Sequence, residues 1–180
     1  MKKILISLGI FIFSLLSFGI PENEATVNVS AEFLAPIKIE VIEQASFGTI
    51  IAQDYSSNNR PKTSSGNSGA HSGKIKISGD GDIKMQWADK NDGTVKDVKN
   101  AEKLKVILTN KNNPSQKITA EFNLFLKEGE FKNIENLKLT ENSPETLLVS
   151  GTLTDVSSST SSGAYEGAIL FRIEYDDSFM

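Results

Sequence analysis

Apolar and polar residues alternate along most of this chain. A two-residue period suits one regular backbone, the β-strand, whose successive side chains point to opposite faces. Ile37, Ile39 and Val41 alternate with Lys38 and Glu40, and Ile75 and Ile77 with Lys74, Lys76 and Ser78. Ile83, Met85 and Trp87 alternate with Asp82, Lys84 and Gln86, and Leu104, Val106 and Leu108 with Lys103 and Lys105. The longest run sets Ile118, Ala120, Phe122, Leu124 and Leu126 on one side. In the last, Tyr165, Gly167, Ile169, Phe171, Ile173 and Tyr175 share parity. Each run presents one greasy face, and helical spacing is hard to find.

Turn-forming clusters separate the runs: Gly79-Asp80-Gly81, Asn91-Asp92-Gly93, Asn110 to Pro114, Asn142-Ser143-Pro144 and the serine-rich Ser157 to Gly163. Many short strands with such punctuation predict an all-β, immunoglobulin-like antiparallel β-sandwich spanning residues 36–176, with 177–180 as a tail. The stretch 53–73 is rich in Ser, Asn and Gly and poor in apolar residues, which predicts a flexible loop.

The N-terminus reads as a signal peptide over residues 1–19. Lys2 and Lys3 precede an apolar run from Ile4 to Phe18, and Ser17-Phe18-Gly19 offers small residues for cleavage. An uncleaved anchor is the competing reading, but the run is shorter than the roughly 20 residues a membrane span needs. The expected route is therefore export to the periplasm, then the cell surface, a fimbrium or the extracellular space. Exported chains commonly use disulfides, yet this one has no cysteine, so packing and strand pairing must stabilise it. The formal charge of −4 becomes more negative once Lys2 and Lys3 are removed, which argues against nucleic acid as a partner.

Residues 20–35 form an extension of a different kind. After the polar Pro21 to Glu24, the residues Ala25, Val27, Val29, Ala31 and Phe33 alternate with Thr26, Asn28, Ser30 and Glu32, and Pro36 then interrupts the ladder. Such a strand can remain at the edge of its own domain or pair with a neighbour.

Little in the sequence suggests catalysis or a cofactor. There is no Gly-x-Ser-x-Gly elbow, no His-Glu-x-x-His and no phosphate loop. His71 is the single histidine, too few for an ordinary zinc or copper site. Asp80-Gly81-Asp82 and the acidic Asp89 to Gly93 cluster do not match a calcium loop and read as turn chemistry. Trp87, in step with Ile83 and Met85, reads as core rather than as a sugar platform. The expectation is a non-enzymatic protein without cofactor or metal.

Several short motifs occur in a fixed order: IKIEVIEQ, Ser46-Phe47-Gly48-Thr49-Ile50, GKIKISG, LKVILTN, LLVSGTLT and GAYEGAILFRIEYD. That order resembles the DUF4402 family of pilin-like secreted bacterial domains, the Phe-Gly-Thr turn and the closing Ser-Gly-Thr-Leu and Gly-x-Tyr-x-Gly motifs being the most specific. The N-terminal part is similar to the alternate, cysteine-free chaperone-usher pilins. In those, a subunit lacks the last strand of its sandwich, and the extension of the next subunit supplies it. The resemblance implies a structural or adhesive subunit of a bacterial surface fibre, assembled by β-strand addition.

Its implied partners are copies of itself or related subunits, a periplasmic chaperone, an outer-membrane usher and a host receptor. The donor residues would be Ala25, Val27, Val29, Ala31 and Phe33. Ile169, Phe171, Ile173 and Tyr175 would contact a chaperone or the next subunit, although Tyr175 also reads simply as a half-buried aromatic closing its strand. Two rival readings stand beside this one. A self-contained secreted module could bind a host or cell-surface glycan or protein through the 53–73 loop, and paired carboxylates could serve an extracellular hydrolase.

Overall fold

A computed structural model describes residues 35–176 apart from 57, 66, 100, 127–133 and 136. Strands dominate, and no α-helix occurs among the described residues. In chain order they are β1 (Lys38–Glu43), β2 (Ser46–Phe47), β3 (Ala70–His71), β4 (Gly73–Ser78), β5 (Gly81–Asp89) and β6 (Lys96–Asp97). There follow β7 (Leu104–Asn110), β8 (Lys117–Phe125), β9 (Lys138–Leu139), β10 (Glu145–Leu153), β11 (Tyr165–Glu166) and β12 (Ile169–Tyr175).

These strands pair antiparallel into two layers. One is a 6-stranded sheet in the order β1-β4-β10-β8-β7-β11. The other runs β12-β5-β6, with β9 added on β5. The short pair β2–β3 stands apart from both. The alternation expected from the sequence is what seals the layers: Ile75 and Ile77 of β4, Val106 of β7, Ala120 and Phe122 of β8, and Leu147 and Val149 of β10 are all buried. From the second layer Ile83, Met85 and Trp87 of β5 meet them, with Trp87 only 1% exposed. The chain is thus an all-β antiparallel sandwich of immunoglobulin-like character.

The last alternating run divides between the layers. β11 pairs with β7 in the large sheet, whereas β12 pairs with β5 in the small one. Gly167 lies at the crossing, where a Cβ would sit 2.7 Å from Leu108 Cδ2 and 2.9 Å from the Ile107 carbonyl oxygen. Only a residue without a side chain lets the backbone pass so close to the neighbouring sheet.

Near that crossing, buried Asp89 joins the layers directly. Its carboxylate accepts the Ile107 N–H from β7 at 2.8 Å and the Asn91 N–H of its own turn at 2.9 Å. The acidic cluster read as turn chemistry therefore contributes a cross-layer tie as well.

The polar 53–73 stretch is secured near its middle. Pairing of β4 with β10 ends at Val149↔Gly73, and Pro61 to Thr63 continue the sheet from there. The Pro61 carbonyl accepts the Leu153 N–H at 2.9 Å, and the Thr63 N–H donates to the Gly151 carbonyl at 3.0 Å. Thr63 Oγ1 accepts the Gly151 N–H, also at 3.0 Å, and both Pro61 and Thr63 are buried.

Replacing Asp89 with alanine leaves the Ile107 N–H without its partner at the layer junction. The expected loss is about 2 kcal/mol of unfolding free energy, measured by urea denaturation, with Asp89→Asn losing less because its carbonyl still accepts one bond. Equal stability of wild type and Asp89→Ala would refute the tie.

Candidate functional site: an uncovered strip beside the last strand

The two layers differ in width. Six strands make the large sheet, but only β12, β5 and β6, with β9 at one end, lie opposite it. β12 pairs with β5 along one edge, and among the described residues no strand pairs with the other. Among the described residues, therefore, part of the inner face of the large sheet has no strand over it, although its central side chains are buried.

Side chains on both banks register this gap. Ile39 and Val41 stand opposite Ile77 and Ile75 in the β1–β4 register and so point to the same face. Yet Ile75 and Ile77 are fully buried, while Ile39 is 43% and Val41 54% exposed. Across the gap Ile169 and Phe171 are only half-buried, although Phe171 stands beside fully buried Trp87. Apolar residues facing inward but left in contact with water mark a place where burial is incomplete.

The result is a groove of about 810 Å³. Its floor is the apolar face of the large sheet, including Val106, Leu108, Ile118, Phe122, Val149 and Leu153. One wall runs from Val41 to Ile50, and the other from Thr160 to Phe171.

The Ser-Phe-Gly-Thr motif builds part of the first wall. Phe47 packs its ring on Phe122 with centroids 5.9 Å apart, over Gly151, where a Cβ would lie 2.5 Å from the Phe122 ring. The turn that aims Phe47 depends on Gly48, whose φ of +68° disfavours any side chain and whose Cβ would collide with the Ser68 carbonyl oxygen. Ser46 Oγ accepts the Gly48 N–H at 3.1 Å, and the Thr49 N–H donates to Ser68 at 3.0 Å.

The groove is mostly neutral, with a charged group on each wall: Glu166, paired with Lys111 at 2.5 Å, on one and Glu43 on the other. Glu43 Oε2 lies 2.7 Å from Lys74 Nζ, and Glu43 Oε1 lies 3.5 Å from His71 Nδ1. The hydrogen bond and charge of Lys74 hold the Glu43 carboxyl below the ordinary glutamate range, with a smaller contribution from His71.

Of the residues singled out in the sequence, Ile169 and Phe171 line the groove. Ile173 and Tyr175 do not; they pack against the core at the other end of β12. The donor candidates Ala25, Val27, Val29, Ala31 and Phe33 lie outside the described residues. The floor residues gave no separate signal in the sequence, because alternation marks a buried face without showing which part of it will line a groove. No protein-family model matches the chain, and no curated protein matches it either. The resemblance to pilin-like domains therefore rests on the quoted motifs alone.

Two measurements test this local account. Because the folded pKa of Glu43 is lowered, its pairing with Lys74 contributes fully above the ordinary glutamate pKa of about 4.3 and is lost as pH falls through the lower folded value. An NMR titration should place the Glu43 midpoint below 4.3, roughly, and Lys74→Met should raise it; an unchanged midpoint would refute the pairing. Gly48→Ala should lower the melting temperature by several degrees, since it forces both a left-handed backbone and a collision, at a cost of about 1–3 kcal/mol.

Proposed function

We propose that the chain is a structural or adhesive subunit of a bacterial surface fibre, and that its groove receives a β-strand from another copy or a related subunit. The observation that carries this reading is an apolar groove lying beside an edge of β12 with which no strand among the described residues pairs. A β-strand is the occupant that meets both requirements together. Its backbone would pair with the free edge of β12, and its alternate side chains would fill the apolar floor. A small apolar ligand would leave the strand edge unpaired, and a flat protein surface would leave the floor unfilled.

The chain itself carries a segment of the required pattern. Ala25, Val27, Val29, Ala31 and Phe33 share one parity and are flanked by polar residues of the other. Burial of a valine or phenylalanine side chain stabilises by about 1.5–3 kcal/mol. The leader at residues 1–19, the absence of cysteine and the motif order fit an exported subunit assembled with the help of a periplasmic chaperone and an usher. On this reading the chaperone would occupy the same groove before the incoming subunit does.

The test uses the processed chain with its own donor disabled by Val29→Asp. A synthetic peptide covering Glu24 to Ala35 should raise its melting temperature by at least several degrees in a dose-dependent way. The same peptide carrying Val29→Asp should have little effect. No stabilisation by the unmodified peptide would sink the proposal.

A further inference from the structure

The large sheet carries opposite chemistry on its two faces. Its inner face is apolar and floors the groove, while alternation and register turn lysines outward. Lys76 stands between Glu40 of β1 and Thr146 of β10, and Lys38 stands opposite Ser78. Farther across the sheet one row runs Lys62, Thr152, Glu121 and Lys105, each opposite the next. Its three strand spacings span about 14 Å. Lys117 shares parity with Glu121 on β8 and so lies on the same face.

The chain as a whole has a formal charge of −4, so this face runs against its average. Two of its glutamates are already neutralised, Glu121 by Lys103 at 3.1 Å and Glu43 by Lys74. Glu40 is a third, and Asp155 sits at the margin, where it accepts the Thr119 N–H at 2.6 Å. Among the described residues Lys38, Lys62, Lys76, Lys105 and Lys117 form no ion pair, and all are exposed. Like charges gathered on one side hold a positive potential that an outside anion would neutralise.

Between the lysines the face offers hydrogen-bonding groups. Ser150 Oγ lies 2.6 Å from Ser72 Oγ, which lies 3.3 Å from Thr63 Oγ1. Asn123 stands opposite Ser150, and its Oδ1 has no hydrogen-bond partner among the described residues, so that amide is not committed to the fold.

We propose that this outer face binds a linear polyanionic polysaccharide bearing sulfate or carboxylate groups. Its anionic groups meet Lys62, Lys105 and Lys117, and its hydroxyls bond to the strip of Ser150 and Asn123. A polysaccharide supplies both kinds of group along one extended chain. Single-stranded nucleic acid needs exposed aromatic rings on which to stack its bases, and Phe125 on this face is half-buried. A membrane needs protruding apolar side chains. Here Leu148 and Phe125 oppose each other half-buried, and Ile107 is 38% exposed. The face is the reverse of the groove floor, so ligand on one side and strand on the other do not compete. On the surface-fibre reading each copy adds one site, and repetition multiplies a weak affinity.

The probe is heparin, titrated into the processed chain at low salt. Binding should saturate and should weaken steeply as salt rises, because bound lysines displace counterions. No binding would reject the site. Lys62→Glu with Lys105→Glu should lower the affinity at least about tenfold. Lys90→Glu with Lys96→Glu makes the same change in net charge away from this face and should have little effect. Equal losses in the two pairs would overturn the assignment, since net charge alone would then explain binding. Lys62→Gln with Lys105→Gln introduces no repulsion beside Glu121; it should keep the melting temperature and still lose affinity several-fold. Unchanged affinity in that pair would also refute the site.

Desulfated heparin should bind several-fold more weakly than heparin. Single-stranded DNA or phosphatidylglycerol vesicles that bind as tightly, through the same lysines, would reject a polysaccharide as the partner. Saturating the groove with the Glu24 to Ala35 peptide should leave heparin affinity unchanged. Peptide stabilisation without heparin binding would reject this site alone, and heparin binding without peptide stabilisation would reject only the donor-strand reading.

Discussion

Removal of apolar surface from water drives this fold, and here the two layers do not match in width. The large sheet lines the groove with Val106, Leu108, Ile118, Phe122, Val149 and Leu153, all of them buried, while its partner layer has fewer strands among the described residues. Lengthening side chains on the banks cannot repair the mismatch, because among the described residues no strand pairs with the outer edge of β12. Phe47 covers one flank by packing on Phe122, and the 160–171 segment walls the other.

Chemistry at the two ends follows from the same geometry. Hydroxyl and amide side chains, among them Gln44, Ser46, Thr49, Thr160, Ser161 and Ser162, surround the mouth. The opposite end is closed by an aromatic ring and a backbone turn. An occupant would be pulled by its apolar side chains toward the floor and released to polar surroundings where it emerges.

Much of the architecture was legible from parity alone, since Ile75, Ile77, Met85, Trp87, Val106 and Phe122 all bury the face their alternation indicated. Other features were hidden for definite reasons. Tyr165 to Tyr175 reads as one strand, and only the crowding of Gly167 by Leu108 and Ile107 reveals that it changes sheets. Pro61 and Thr63 sit in a stretch whose polar composition suggests mobility, yet two backbone bonds to β10 and burial place them in the sheet. Such pairing leaves no trace in composition, because backbone groups make it. The groove was the least legible feature of all. Ile39 and Val41 have the pattern of buried residues, and their exposure depends on what lies opposite them in three dimensions.

The crossing at Gly167 has a consequence for how the molecule comes apart. One uninterrupted stretch of backbone is stitched to β7 at Tyr165 and to β5 from Ile169 onward. Neither layer can therefore melt without tugging on the seam of the other, and the sandwich should unravel as a single cooperative unit despite its uncovered strip.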